Sequence, residues 1–455
     1  MKEILEVFLV CSAFLHFARF LEGIFIFLSI FTWLAQGLLY IWAESCKKFS
    51  ERNMNMRESF KMVNFEQDRE NTCSFDFLSK EKAEEIQKFH KSFPMYEPTP
   101  LACLADTAKA LGLGAVYVKD ETYRFGLNAF KVLGGSYAIG NYLAGRLGKT
   151  AGEITYGDLI SEETRKELGD VTFVTATDGN HGRGVAWTAR QFHQKAVVYM
   201  PKGSAAERLA NIQAEGADAS ITDLNYDDAV RLANSQAEKN GWVMVQDTAW
   251  EGYEDIPTWI MQGYGTMGLE AYKQLPEKPT HIFLQAGVGS MAGAVAGLFT
   301  NIYGGERPVI TIVEPNKADC LYRTAEANDG ERHFVTGDMD TIMAGLACGE
   351  PCSIGWEVLK NCVDHFISCP DYAAAKGMRI LGNPAGADQK VISGESGAAA
   401  FGCVAEILTN PDLADLKKEL GLDENSRVLF FSTEGDTDKE NYKAIVWDGK
   451  YPSVK

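Results

Sequence analysis

The chain is predicted to be α/β with mostly parallel sheets. Short apolar runs alternate with helical ones from about residue 115 onward, and two glycine-rich turns each follow an apolar run and open a helical pattern. The strand candidates are 115–118, 171–174, 196–200, 219–222, 242–245, 282–284, 309–313 and 428–431, each rich in Val, Ile, Phe or Tyr. Between them, segments such as 205–215 and 226–239 carry apolar residues at the 3.6-residue spacing of helices packed on a sheet. No internal repeat or low-complexity segment interrupts the pattern.

The first glycine-rich turn is Gly287-Val-Gly-Ser-Met-Ala-Gly293, after His281-Ile-Phe-Leu-Gln285 and before Met291-Ala-Gly-Ala-Val-Ala-Gly-Leu298. A strand, a tight turn and a helix start make an anion site, because free N–H groups and the positive end of the helix dipole favour a phosphate. Its Gly-x-Gly-x-x-x-Gly spacing departs by one residue from the dinucleotide fingerprint, and it comes late in the chain, so a dinucleotide reading is the weaker one. The second turn, Thr175-Ala-Thr-Asp-Gly-Asn-His-Gly-Arg-Gly184, crowds a carboxylate, an amide and an imidazole beside helix-start amides. Upstream lies Arg124-Phe-Gly-Leu-Asn-Ala-Phe-Lys-Val-Leu133, in which Lys131 stands where an apolar run becomes an amphipathic segment. A lysine so placed, with a phosphate loop elsewhere in the chain, suggests a Schiff-base amine that carries pyridoxal 5'-phosphate.

Composition narrows the function. At 455 residues, 23% charged and 46% hydrophobic, the chain is ordinary globular protein, long enough for two domains. A net charge of −18 disfavours nucleic acid, whose phosphates are bound by clustered Lys and Arg. The ten cysteines form no Cys-x-x-Cys pair and no zinc-type Cys/His cluster, so no metal is expected. Buried thiols are their default state. A Cys320–Cys348 disulfide is the alternative, which non-reducing peptide mapping decides.

The three motifs, in this order, resemble the fold-type II pyridoxal-phosphate enzymes, the group of threonine and serine dehydratases and tryptophan synthase β. Adding Gln246-Asp-Thr-Ala-Trp-Glu-Gly-Tyr253, Ile342-Met-Ala-Gly-Leu-Ala-Cys-Gly-Glu-Pro351 and Ser432-Thr-Glu-Gly-Asp-Thr-Asp438, the wording resembles the diaminopropionate ammonia-lyase family over roughly residues 65–453. That resemblance implies a two-domain fold with parallel or mixed sheets flanked by helices. A small domain at 134–250 would be inserted in a large cofactor-holding domain made of 96–133 and 251–455, with 54–95 as a lead-in. It also implies α,β-elimination of D- and L-2,3-diaminopropionate to pyruvate and two ammonia, in a cytoplasmic homodimer. Lys131 would hold the cofactor and act as the base on one face of the substrate, with Asp178 as the base on the other. Asp247 would recognise the second ammonium. Asn180 would lie near the cofactor's phenolic oxygen and Phe130 beside its ring. The amides of Gly287, Val288, Gly289, Ser290 and Met291 would take the phosphate. Thr433, with Ser432 as its alternative, would meet the pyridine nitrogen. A serine or threonine dehydratase of the same fold is the nearest competing reading.

Residues 1–53 do not share this pattern. The twenty uncharged positions 24–43 are long enough to cross a bilayer core of ~30 Å. Five Lys and Arg residues, Lys47, Lys48, Arg52, Arg57 and Lys61, follow the run, which would keep the enzyme domain on the cytoplasmic side if the segment is an anchor in the mature chain. The other reading is a start codon assigned too early, with Met54, Met56 or Met62 as the true beginning.

Overall fold

The computed structural model describes residues 60–453 except 66, 68, 70–72 and 178. The apolar run 24–43, both readings of it, and Asp178 therefore lie outside the described residues. No helix among the described residues is long and apolar enough to cross a membrane.

Eleven strands among the described residues form two sheets. The larger has the order β1-β10-β9-β8-β11-β3-β2. Its parallel centre comprises β3 (Ala115–Asp120), β8 (His281–Gln285), β9 (Val309–Pro315), β10 (His365–Cys369) and β11 (Arg427–Ser432). The edges are closed by the antiparallel β1 (Lys61–Asn64) and β2 (Leu101–Cys103). The smaller sheet, order β6-β5-β4-β7, is parallel throughout: β4 (Thr172–Ala176), β5 (Lys195–Met200), β6 (Asp218–Ile221) and β7 (Val243–Met244). Central strands are buried on both faces, as β8 is at all five positions, which is why they read as unbroken apolar runs. Sequence reading finds every central strand except β10 and misses both short edges. It also makes β7 too long, since only Val243–Met244 pair.

The helix Val132–Arg146 begins immediately after Lys131 and runs between the helices Asn180–Gln191 and Asp255–Gln274. The approach is too close for side chains: a Cβ on Gly263 would stand 2.4 Å from the Leu133 carbonyl oxygen. The backbone that carries Lys131 is thereby held against a buried helix.

Beneath it lies a charge-balanced lattice with almost no solvent contact. Arg124 donates to both oxygens of Glu121, at 2.9 Å each, and to both of Glu270, at 3.0 and 2.7 Å. Lys119 donates to Glu270 at 2.7 Å, to the Thr99 carbonyl at 2.6 Å and to Gln274 at 2.8 Å. Two cations face two anions, so burial leaves no net charge uncompensated. Burial, with Arg124 beside it, lowers the His90 imidazole to about 3, and the ring bridges Thr266 and the Leu133 carbonyl as a neutral group.

Replacing Glu270 with Ala leaves Lys119 without its carboxylate and two buried cations facing the single anion Glu121, and such losses cost roughly 3–5 kcal/mol. Urea unfolding of E270A is expected to show that loss with an unchanged m-value; a change under about 1 kcal/mol, the scale of an exposed pair, would contradict the lattice's role.

Candidate active site

The cleft lies at the carboxyl ends of β8 and β11, where ligands bind in open α/β sheets. Its walls include Phe130, Lys131, Asn180, Asp247, the 285–292 turn and Thr433.

The loop that brings Lys131 here is stitched to the segment after β11. Phe130 N–H donates to the Thr433 carbonyl at 3.0 Å, Gly435 N–H donates to the Asn128 carbonyl at 3.0 Å, and Ala129 bridges Glu434 in antiparallel fashion. The turn also needs positive φ at Phe125 (49°), Gly126 (71°) and Asn128 (60°). Such a conformation at phenylalanine persists only where the surroundings enforce it. Stacking of the Phe125 ring on Trp187, 5.3 Å between centroids, is part of that enforcement.

Lys131 Nζ donates to Asp247 Oδ2 at 2.9 Å. Burial would push the Asp247 carboxyl up, but the Lys131 ammonium and the His181 imidazole outweigh it and hold it at about 2. Asp247 stays anionic throughout the physiological range. Tyr226 extends this group: its hydroxyl lies 3.4 Å from Asp247 Oδ1 and accepts from Gln246 Nε2 at 2.8 Å. Phe130 packs on Tyr264, 4.7 Å between ring centroids.

The turn after β8 has Gly289 at φ +97°, a region open to glycine and strained for other residues. It opens the helix Ser290–Tyr303, whose first N–H groups have no acceptor within the helix. Ser290 Oγ donates to the Asp247 carbonyl and so ties the phosphate-type turn to the acidic wall. Opposite, Gln285 Nε2 donates to Thr433 Oγ1 at 2.8 Å, which orients the hydroxyl with its own proton free for an acceptor in the cleft. Ser432 is turned away and bonds Ser393 Oγ at 2.8 Å. Between the two alternatives, Thr433 is the one that lines the cleft.

Every candidate residue among the described ones meets here: Lys131, Phe130, Asn180, Asp247, the five residues 287–291 and Thr433. Sequence reading misses Tyr226, Tyr264, Gln285 and Glu434, which also line the cleft. Glu434 stands inside a motif that the sequence displays, whereas the other three carry no local signal. Cys320 Sγ lies 3.9 Å from the Gly287 carbonyl oxygen, and a Cβ on Gly287 would come 3.1 Å from Cys348 Sγ, so both sulfurs border the turn.

Two buried polar atoms in these walls, Tyr264 Oη and Gln285 Oε1, have no hydrogen-bond partner among the described residues. Buried polar groups are rarely left so, and these await a polar ligand. With the glycine turn, the neutral Thr433 hydroxyl and the half-buried Lys131 amine, they fit a phosphate-bearing aromatic aldehyde. The fold and the site together define a pyridoxal-phosphate-dependent enzyme, and a family model described as pyridoxal-phosphate dependent enzyme matches residues 93–433.

More closely, the chain is 53% identical over 383 residues to the diaminopropionate ammonia-lyase of Salmonella typhimurium, covering 83% of this chain and 95% of that protein. It is 50% identical over 378 residues to the Escherichia coli K12 enzyme of the same name, covering 82% and 93%. The crystal structure of the Escherichia coli enzyme in complex with D-serine superposes with a TM-score of 0.80 at 46% identity, covering 86% of this chain and 98% of that one. The chain belongs to the diaminopropionate ammonia-lyase family.

Next to the cleft, Glu395 opens the helix Glu395–Thr409 and lines an adjoining pocket. Burial and then the neighbouring Glu434 charge push its carboxyl up to about 7, against the pull of Arg208 4.0 Å away. A raised folded-state value means that Glu395's contribution to stability is complete below the ordinary carboxylate range and is lost as pH rises through about 7. E395Q never ionises, so its melting temperature is expected to gain on the wild type between about pH 5 and pH 8; an equal difference at both would refute the assignment.

Proposed function

We propose that the chain catalyses pyridoxal-phosphate-dependent α,β-elimination of 2,3-diaminopropionate, taking up water and releasing pyruvate and two ammonia. The half-buried Lys131–Asp247 pair beside a phosphate-type turn is the observation that carries this reading. The cofactor, when bound, supplies an electron-withdrawing ring system that makes the substrate's Cα proton acidic.

The chain's own residues do the rest. Lys131 would hold the cofactor through its Nζ and, as a free amine, would take the substrate's Cα proton on one face. Asp178 is the base on the opposite face, which lets one site process both isomers. Asp247, anionic and buried, faces the substrate's second ammonium and keeps Lys131 oriented. The amides of Gly287, Val288, Gly289, Ser290 and Met291 would hold the phosphate, and Phe130 would flank the ring. Thr433 offers a hydroxyl to the ring nitrogen, a neutral partner that leaves the ring a mild electron sink suited to elimination. The closely packed cleft limits water around these charges and so strengthens each interaction.

We place the small domain at 134–250, the lead-in at 54–95 and the large domain at 96–133 and 251–455. The whole four-stranded sheet, from Thr172 to Met244, falls inside the first of these. A cytoplasmic homodimer belongs to the same proposal and rests on the family.

The test compares wild type, K131A and D247N for the visible cofactor band and for pyruvate released from D- and L-diaminopropionate, L-serine and L-threonine. Wild type is expected to prefer diaminopropionate, and K131A to lose both band and turnover. D247N should lose roughly 10²-fold in kcat/KM on the diamine, the scale set by an unpaired buried charge, and less on serine. A wild-type preference for serine or threonine would replace this reading with the dehydratase.

A further inference from the structure

Glu434 is 2% exposed and reaches out of the segment after β11 to three other parts of the chain. Its Oε2 accepts from Asn180 Nδ2, at the first turn of the helix Asn180–Gln191. Its Oε1 accepts from Ser396 N–H at 3.1 Å, at the positive end of the helix Glu395–Thr409. Its backbone bridges Ala129, two residues before Lys131, and its carbonyl accepts from Gly394 N–H at 2.9 Å. Both Glu434 and Asn180 line the cofactor cleft.

An asparagine amide presents two donors at one end and an acceptor at the other, and its terminal torsion is broad and roughly two-fold. Left alone, Asn180 can turn either end toward a ligand. A carboxylate only accepts, so Glu434 binds the nitrogen end and repels the oxygen end. One N–H is spent on Glu434, and the second N–H stays available to the cleft.

We propose that Glu434 is a positioning residue that selects the donor face of the Asn180 amide toward the cofactor's phenolic oxygen. This rests on the placement of Asn180 beside that oxygen. Glu434 acts through Asn180: without the carboxylate the amide can present its oxygen, which would repel a phenolate where the N–H attracts it. The pairing of Glu434 with the Lys131 loop runs through its backbone and survives replacement of the side chain, so the carboxylate's effect on the cofactor passes through Asn180.

The experiment is a double-mutant cycle of N180A and E434A on the full chain. Its readouts are the affinity of the cofactor-free protein for pyridoxal phosphate and the pH midpoint of the visible cofactor band. N180A is expected to weaken cofactor binding about tenfold, the scale of one lost hydrogen bond to a charged group, and to move the midpoint. E434A should reproduce most of both changes and add nothing in the N180A background. E434Q keeps one acceptor for Asn180, so it should fall between wild type and E434A, and it replaces E434A in the cycle if that variant is insoluble. Additive losses would overturn the proposal, as would wild-type affinity and midpoint in E434A alongside a clear effect of N180A. If N180A changes neither readout, the placement of Asn180 is wrong and the role of Glu434 goes with it.

Discussion

The site depends on one constraint: the loop carrying Lys131 must be held still in a conformation it would not adopt alone. Positive φ at Phe125 costs energy that contacts around the loop must offset. The offset comes from below, where Arg124 of that loop is clamped by Glu121 and Glu270 and Glu270 is shared with Lys119. Arg124 suits this place because a planar guanidinium meets two carboxylates with paired donors, which a lysine ammonium does not. Glu270 belongs to the helix Asp255–Gln274, the one that presses Gly263 against the Leu133 carbonyl. One helix thus anchors the loop before Lys131 and the helix after it.

Above the lattice, the electrostatics change purpose. The lattice is neutral in sum and sealed. Among its described residues the cleft instead has one amine, Lys131, against two carboxylates, Asp247 and Glu434. When the Lys131 amine is engaged by an aldehyde, that balance leaves anionic groups to face a substrate, which suits a diamine better than a hydroxy amino acid. While the Lys131 ammonium faces it, Asp247 is held at about 2 and keeps its charge; His181 also lowers it and is still present once the amine is engaged.

Much of this was legible in the residues. The parallel core strands announced themselves because burial on both faces demands unbroken Val, Ile and Phe runs, and the glycine turn because its backbone needs glycine at Gly289. The edges β1 and β2 were not, being only four and three residues long and paired on one side. β10 escaped because His365 and Ser368 break its apolar run, although Ser368 is buried and donates to Asp319 at 2.8 Å. At the site, residues within motifs could be assigned to the cleft, down to the choice of Thr433 over Ser432 that geometry then makes. Tyr226, Tyr264 and Gln285 could not be: each lies in a helix or strand that reads as packing, and only the tertiary fold turns it inward. The Arg124–Glu270 contact spans 146 positions and leaves no local trace.

The central claim is that the lattice presents one particular lysine to the cofactor. Its most direct test is reductive trapping of pyridoxal phosphate on the native protein, followed by peptide mapping. The phosphopyridoxyl group should be found on Lys131 and on no other lysine. Recovery of the label on a different lysine, or on none, would contradict the account.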